Sequence, residues 1–205
     1  RTLSAIPFDR VTLEAPVPRP RRNIFCVGKN YHEHAHEFAK SGFDSSAGAG
    51  AVPKEPIIFS KVPETVVSNH TKVRIDPKVS TAIDYEAELA VIIGKACRHV
   101  PESQAMSVVY GYSIMNDMTG NGMRAEDMVH YKALYPRPDD PDKVEEREQH
   151  LSYTARYKGS DTFGPLGPWL VTADEVPDPH ALDVKCWHKD ELIAELFVTR
   201  SLATN

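Results

Sequence analysis

The chain has 205 residues, which suits one domain with at most a small appendage. Its 29 acidic and 24 basic residues give a net charge of −5, which argues against a nucleic-acid surface. No apolar run approaches the roughly 18 residues that span a membrane. The three cysteines are widely spaced, as in proteins of a reducing compartment. We therefore expect a cytoplasmic protein, or one of the mitochondrial matrix, with no nucleic-acid or membrane partner.

The first part of the chain predicts extended structure. Residues 1–22 are rich in proline, which holds the backbone open, and predict an extended segment with a short strand over 11–13. A short apolar run that ends at a glycine predicts a buried strand over 23–28. In that strand we expect Cys26 to be a buried apolar thiol rather than a nucleophile. Two further short strands are predicted over 56–61 and 73–75.

The stretch over 30–40 is polar and rich in histidine, and it predicts a helix followed by a Gly/Ser/Ala-rich loop over 42–51. His32, Glu33 and His36 match the HExxH pattern, in which two histidines one turn apart bind Zn²⁺ and the glutamate acts as a base. The pattern is short, a histidine-rich helix produces it by chance, and no third ligand is evident. This stretch therefore has two alternative interpretations. It could hold the zinc ligands of a protease, or it could be an exposed polar helix with no role in catalysis.

The stretch over 84–94 holds two closely spaced carboxylates. It is apolar, β-branched at its far end and closed by a glycine, so it predicts a strand. Because side chains alternate along a strand, Glu86 and Glu88 lie on one face, roughly 7 Å apart, while Leu89 points the other way. Carboxylates near a core take up protons or recruit a cation, and hard divalent cations prefer carboxylate oxygens. The pattern indicates a Mg²⁺, Mn²⁺ or Ca²⁺ site, with a solvated strand face as the alternative.

Further along the chain, a helical turn is predicted over 102–106 and a strand over 108–115 that runs into Asp117. An acidic residue at the end of a buried strand is a common position for a site, and a turn-capping aspartate is the alternative. The chain becomes charged and proline-rich over 133–156, which we interpret as a solvated lid or insertion with a helix over 143–150. A Gly/Pro-rich loop over 158–171 and a closing hairpin with strands over 182–186 and 192–198 are predicted after it.

Five ordered stretches together resemble the fumarylacetoacetate hydrolase family. They are FCVGKNYHEHAHE at 25–37, PIIFSK at 56–61, DYEAELAVIIGK at 84–95, YGYSIMNDMT at 110–119 and KGSDTFGPLGPWLVT at 158–172. Their order and approximate spacing also match, and the set is specific where any one stretch alone is weak. The resemblance implies an α+β, β-rich fold, a mixed β-sandwich roll with short flanking helices. Residues 23–205 would form the catalytic domain after an N-terminal extended segment over 1–22.

The resemblance also implies a divalent metal held by the two glutamates and the downstream aspartate. Carried over residue by residue, the ligands are Glu86, Glu88 and Asp117. Mg²⁺ is the expected ion, with Mn²⁺ and Ca²⁺ as alternatives. The implied partner is a small-molecule 2-oxo acid or its enol, and we expect the enzyme to be a homodimer.

The resemblance further implies residues for catalysis and substrate binding. His34 and Glu37 take the places of a pair that acts as a base on a closing helix, where residues three apart are neighbours. Lys158, from the KGSD stretch, is implied to contact the substrate and offset negative charge. Tyr31 and Arg124 are the other substrate-binding candidates.

The chain departs from the family pattern at three places. Asn121 stands in a slot where the family usually carries arginine, and Arg124 lies near the usual glutamine slot, so the pattern does not fix the specificity for the substrate side chain. The insertion over 133–156 is longer than the usual link and is expected to reshape the mouth of the pocket. The family's later Gly-Thr-Pro loop does not occur in this sequence, so we expect a catalytic domain without the family's C-terminal part.

The resemblance thus implies metal-dependent hydrolysis of a C–C bond in an acylpyruvate-type 2,4-dioxo acid through a metal-bound enolate. His34, oriented by Glu37, would activate the attacking water, while Lys158 would offset charge. The same enolate serves an isomerase or decarboxylase of a 2-hydroxydienedioate or 2-oxo acid in aromatic catabolism, which is the alternative within the family. A non-catalytic relative kept as a scaffold or binding module is the alternative from another class.

Overall fold

The structure is a computed structural model that describes residues 5–28, 55–78 and 80–197. The predicted helix over 30–40, with Tyr31, His34 and Glu37, lies outside the described residues, as does the HExxH pattern. The strands are β1 (Ile24–Val27), β2 (Ile58–Lys61), β3 (Val66–Ser68), β4 (Ala87–Ile93), β5 (Val109–Asn116), β6 (Met128–Pro136), β7 (Val144–Ser152), β8 (Gly164–Leu166), β9 (Val171–Thr172), β10 (Asp183–His188) and β11 (Glu191–Phe197). The α-helix α1 spans Thr154–Lys158, and 3₁₀ turns span Phe8–Arg10, Pro63–Thr65, Glu102–Val108, Asn121–Met123, Ala173–Glu175 and Pro179–Ala181.

The central sheet has five strands, in the order β3, β8, β5 and β4, with β9 pairing with another part of β5. β4 and β5 are antiparallel, with Ala87 opposite Asn116 at the end that leads to the candidate site. β3 and β8 are parallel. A Cβ atom at Gly111 would collide with the carbonyl oxygen of Val171, so glycine at this position allows β9 to approach β5. The sheet mixes parallel and antiparallel pairs, as expected for the predicted β-rich roll.

The two faces of β4 and β5 differ in their surroundings. Directly opposed residues of an antiparallel pair share a face, so Glu88 lies on the same face as Met115. Met115 is 5% exposed and belongs to the hydrophobic core together with Ala15, Val66 and Leu166. The opposite face carries Val91 and Ile114, which are 49% and 44% exposed, and Tyr112, which is buried. The carboxylate of Glu88 therefore lies at the margin of the core rather than on the outer surface.

The predicted helix over 143–150 is wrong, because these residues form β7 in a long hairpin with β6. The sequence there is rich in Glu, Arg and Gln, which favour helices, but cross-strand pairing overrides that preference. Lys132 Nζ lies 2.7 Å from Glu146 Oε1 across the hairpin, and Arg147 lies over the ring of Tyr135. Much of the predicted insertion is thus a two-stranded arm.

Other local predictions have mixed outcomes. The stretches 11–13 and 73–75 form no strand, so those two predictions are wrong. The strands predicted over 23–28, 56–61 and 108–115 and the closing hairpin are present, with boundaries shifted by one or two residues, and the turn near 102 is a 3₁₀ helix. Within the described ranges, no helix has the length and apolar character needed to cross a bilayer.

Candidate active site

Three carboxylates meet where β4 begins and β5 ends. Glu86 immediately precedes β4, Glu88 is its second residue, and Asp117 immediately follows β5. The backbone N–H of Asp117 donates to the carbonyl of Glu86 at 2.8 Å, while the backbone N–H of Glu86 donates to the side chain of Asn116 at 3.1 Å. One oxygen from each of the three carboxylates lies within 4.8 Å of the other two. The sheet register thus brings together the residues that sequence reasoning proposed as metal ligands.

The surroundings of the Glu88 carboxylate strongly affect its proton affinity. Burial, and then the charge of Asp117, raises the pKa of Glu88 to about 7. Asp117 itself is fully buried, with 0% of its surface exposed. Several acidic groups in so small a buried volume require positive charge for stability, and the protein supplies some of it.

Lys158 places its ammonium against two of these carboxylates. Its Nζ atom lies 3.0 Å from both Glu86 Oε1 and Glu86 Oε2 and 2.6 Å from Asp117 Oδ2. Lys158 is the last residue of α1, and its side chain is 6% exposed. Burial disfavours the charged form, but the charges of Glu86 and Asp117 outweigh it, so the pKa of Lys158 is raised above its ordinary value. The lysine implied by the resemblance therefore lies inside the carboxylate cluster.

A second lysine, which sequence reasoning did not select, also reaches this cluster. Lys61 is the last residue of β2 and is completely buried, with Nζ 2.5 Å from Asp117 Oδ1 and 3.1 Å from the carbonyl oxygen of Met118. Burial lowers the pKa of Lys61, while the charge of Asp117 acts in the opposite direction. The position of Lys61 in the sequence could have identified it, because a cation at the end of a short apolar strand requires a partner.

Thr119 is the other residue that sequence reasoning missed. It is fully buried, and its Oγ1 donates to Glu86 Oε1 at 2.6 Å. Its backbone exchanges two hydrogen bonds with Asp84, which fixes the chain after Asp117 beside the start of β4. Thr119 therefore orients the Glu86 carboxylate.

Arg124 and Asn121, the two residues at the departures from the family pattern, contact Tyr157 and Asp84 respectively. The Arg124 guanidinium carbon lies 5.4 Å from the ring centroid of Tyr157. The Asn121 side-chain amide donates to Asp84 Oδ2 at 2.6 Å, so in this chain the residue in the usual arginine slot ties the turn to the start of the double-Glu stretch. A role for Arg124 in substrate binding stays a prediction.

Cys26 lies close to the cluster as a neutral thiol. Its side chain is buried on β1, opposite Phe59 of β2, and the ammonium of Lys158 lies 5.2 Å from the centre of the Phe59 ring. Burial, followed by the charges of Asp117 and Glu88, raises the pKa of Cys26 to about 12. The thiol is therefore protonated at neutral pH, which agrees with the prediction that it is not a nucleophile.

The chemistry of the group fits a hard divalent cation. Its three donors are carboxylates, which suit Mg²⁺, Mn²⁺ and Ca²⁺, and it contains neither thiolate nor imidazole. Glu88 lies in the β4–β5 ladder, and a backbone hydrogen bond at the end of this ladder holds Glu86 beside Asp117.

Residues 23–199 match the family described as fumarylacetoacetate (FAA) hydrolase C-terminal. The chain belongs to the fumarylacetoacetate hydrolase family. This confirms the resemblance inferred from the five ordered stretches. Relatives of this chain include enzymes named as a hydrolase, a tautomerase and an isomerase.

Among curated relatives, human mitochondrial oxaloacetate tautomerase is 35% identical over 93% of this chain and 50% of its own length. The oxaloacetate tautomerase of Bacillus subtilis is 31% identical over 90% of this chain and 51% of its own. The chain thus spans about half the length of these curated relatives. A maleylpyruvate hydrolase from Sphingobium, solved with manganese(II) and pyruvate, is 30% identical, with a TM-score of 0.61 over 94% of this chain and 54% of that one. The likeness to this solved structure supports the β-rich α+β fold predicted for the chain.

Proposed function

We propose that this chain carries the metal centre of an enzyme that interconverts the keto and enol forms of a 2-oxo acid. The observation that carries this proposal is the cluster of Glu86, Glu88 and Asp117, with two buried lysines against it. Enol chemistry requires a site that stabilises negative charge on the substrate oxygen as the neighbouring carbon loses a proton. A 2-oxo acid presents carboxylate and keto oxygens that can chelate one cation. The names of the two tautomerase relatives support the same class of reaction.

Glu86, Glu88 and Asp117 would hold a divalent cation, and the carboxylates outnumber the lysines, so the site attracts positive charge. When bound, Mg²⁺ or Mn²⁺ would polarise the keto oxygen and offset charge on the enolate. Lys158 is the described cation best placed to donate a hydrogen bond to the substrate's carboxylate or enolate oxygen, because its ammonium already lies among the ligands. Lys61 would keep Asp117 in place.

The second candidate is the C–C hydrolysis of an acylpyruvate, predicted from the sequence. The maleylpyruvate hydrolase relative, solved with pyruvate, favours it. Both reactions pass through the enolate of a 2-oxo acid, but hydrolysis also needs a base that activates water. We assign that role to His34 and Glu37, with Tyr31 beside the substrate, as predictions outside the described residues. A decarboxylase uses the same enolate.

The test is a comparison of two substrates in one buffer. With Mn²⁺ or Mg²⁺, the protein is expected to accelerate the ketonisation of enol-oxaloacetate, which is measured as the loss of enol absorbance. A chelator should abolish this acceleration. Glu86→Gln with Glu88→Gln should remove it. Glu145→Gln with Glu148→Gln, on the exposed hairpin, makes the same charge change and should not. Release of pyruvate from acetylpyruvate without tautomerisation would favour the second candidate, and activity that persists in chelator would contradict both.

The predicted homodimer, the cytoplasmic or mitochondrial location and a role in aromatic catabolism remain proposals. The exposed apolar face of β4 and β5, which includes Val91 and Ile114, supports a homodimer. Sedimentation at several concentrations would test it, and a monomer at all of them would contradict it.

A further inference from the structure

Two ammonium groups share the carboxylate of Asp117. The Nζ atom of Lys61 lies 2.5 Å from Asp117 Oδ1, and the Nζ atom of Lys158 lies 2.6 Å from Asp117 Oδ2. Asp117 is completely buried, so both of its oxygens are satisfied inside the protein. A cation that binds this carboxylate therefore has to share it with a lysine or displace one.

Lys61 is anchored independently of the carboxylates. Its ammonium also donates to the backbone carbonyl of Met118 at 3.1 Å, and the residue ends a strand with no exposed surface. The backbone contact persists whatever binds to Asp117. Lys61 is therefore placed to remain beside Asp117 as a positioning residue.

Lys158 has no such anchor among its described hydrogen bonds. An ammonium has three donors, and Lys158 directs its hydrogen bonds to Glu86 Oε1, Glu86 Oε2 and Asp117 Oδ2. It also lies over the face of Phe59, at 5.2 Å, which can stabilise the cation without a directional hydrogen bond. Lys158 joins two of the three candidate ligands, as a bound metal ion would.

We propose that Lys158 is an exchangeable internal counter-cation, which holds Glu86 and Asp117 together in the metal-free protein and yields them to a divalent ion. This inference rests on the proposed metal site. Once Glu86 and Asp117 bind the ion, the ammonium loses its partners and faces a like charge, so it turns toward an incoming anion. The exchange couples metal binding to substrate binding, because the ion releases Lys158 to pair with the substrate carboxylate.

The first test measures Mn²⁺ affinity by calorimetry without substrate. Lys158→Met should bind Mn²⁺ about tenfold more tightly or better, because the competing charge is gone and the unbound carboxylates repel each other. Lys158→Arg keeps the charge and should stay close to the unaltered protein. Lys132→Met removes an exposed lysine of the hairpin and should change nothing. Weaker or equal binding by Lys158→Met would overturn the exchange.

The second test needs no variant, so it holds even if Lys158→Met does not fold. The unaltered protein is acylated with a small amine reagent, and each lysine is quantified by mass spectrometry. Mn²⁺ should raise labelling of Lys158 several-fold, oxalate added with Mn²⁺ should lower it again, and Lys61 should not respond. Constant labelling of Lys158 while calorimetry shows Mn²⁺ binding would overturn this inference alone. Absence of Mn²⁺ binding would instead remove the proposed function.

Discussion

Glu88 differs from the other two carboxylates because, in the described part of the chain, no lysine donates a hydrogen bond to it. Its pKa is raised from 4.5 to about 7 by burial and then by Asp117. The folded protein therefore holds a proton between about pH 4.5 and 7 that the unfolded chain releases, so the free energy of unfolding falls as pH rises through that window.

Glu88→Gln removes this titration. In chelator, unfolding by urea at pH 5 and pH 8 should show a smaller loss of stability at the higher pH in the variant than in the unaltered protein. Glu148→Gln, at a side chain that is 75% exposed, is the matched control and should keep the original pH dependence. If the unaltered protein and both variants showed the same pH dependence of stability, folding would not raise the pKa of Glu88, which would contradict this prediction.

Lys61 should matter for stability as well as for the site. Lys61→Met leaves Asp117 buried with one oxygen unpaired, and breaking a buried ion pair in this way costs about 3–5 kcal/mol. Lys132→Met breaks an exposed pair, with side chains 68% and 55% exposed, and should cost at most about 1 kcal/mol. Urea unfolding measures both, and equal losses for the two variants would contradict the role assigned to Lys61.

At the scale of elements, we predict that the outer part of the β6–β7 arm can be removed without affecting the site. Its strands pair with each other and with no other strand in the described ranges. A variant that joins Tyr131 to Gln149, which are opposite each other, through Asn-Gly retains the base of the hairpin. It should bind Mn²⁺ as tightly as the full chain. A large loss of affinity in a folded variant would show that the arm supports the carboxylates.

We predict that His34 and Glu37 contribute to catalysis and not to metal binding. General-base catalysis is typically worth about 10² to 10⁴ in rate, so His34→Ala should lower kcat by about that factor. Metal affinity should stay nearly constant, because His34 is not among the proposed ligands. Kinetics and calorimetry on one preparation test this together, and a fall in metal affinity would place the histidine among the ligands instead.

At the scale of the whole molecule, the sequence predicted the carboxylate cluster because β-strand alternation relates Glu86 to Glu88 directly. The end of the predicted strand made Asp117 a candidate, but only the family resemblance grouped it with Glu86, since their distance depends on the pairing of β4 and β5. Lys61 was missed for the same reason, because it lies 56 residues from its partner Asp117. The β7 strand was missed because local composition favoured a helix and its pairing with β6 overrode it. Local periodicity thus predicted single elements, and long-range pairing decided the rest.

The central claim is that Glu86, Glu88 and Asp117 together bind one divalent cation. Calorimetric titration of Mn²⁺ into the chelator-treated protein tests it most directly, with Glu86→Gln/Glu88→Gln as the variant and Glu145→Gln/Glu148→Gln as its control. We predict a single site in the unaltered protein and the control, and no measurable binding in the variant. Equal binding in all three proteins, or binding of Zn²⁺ that depends on His32 and His36, would contradict the account.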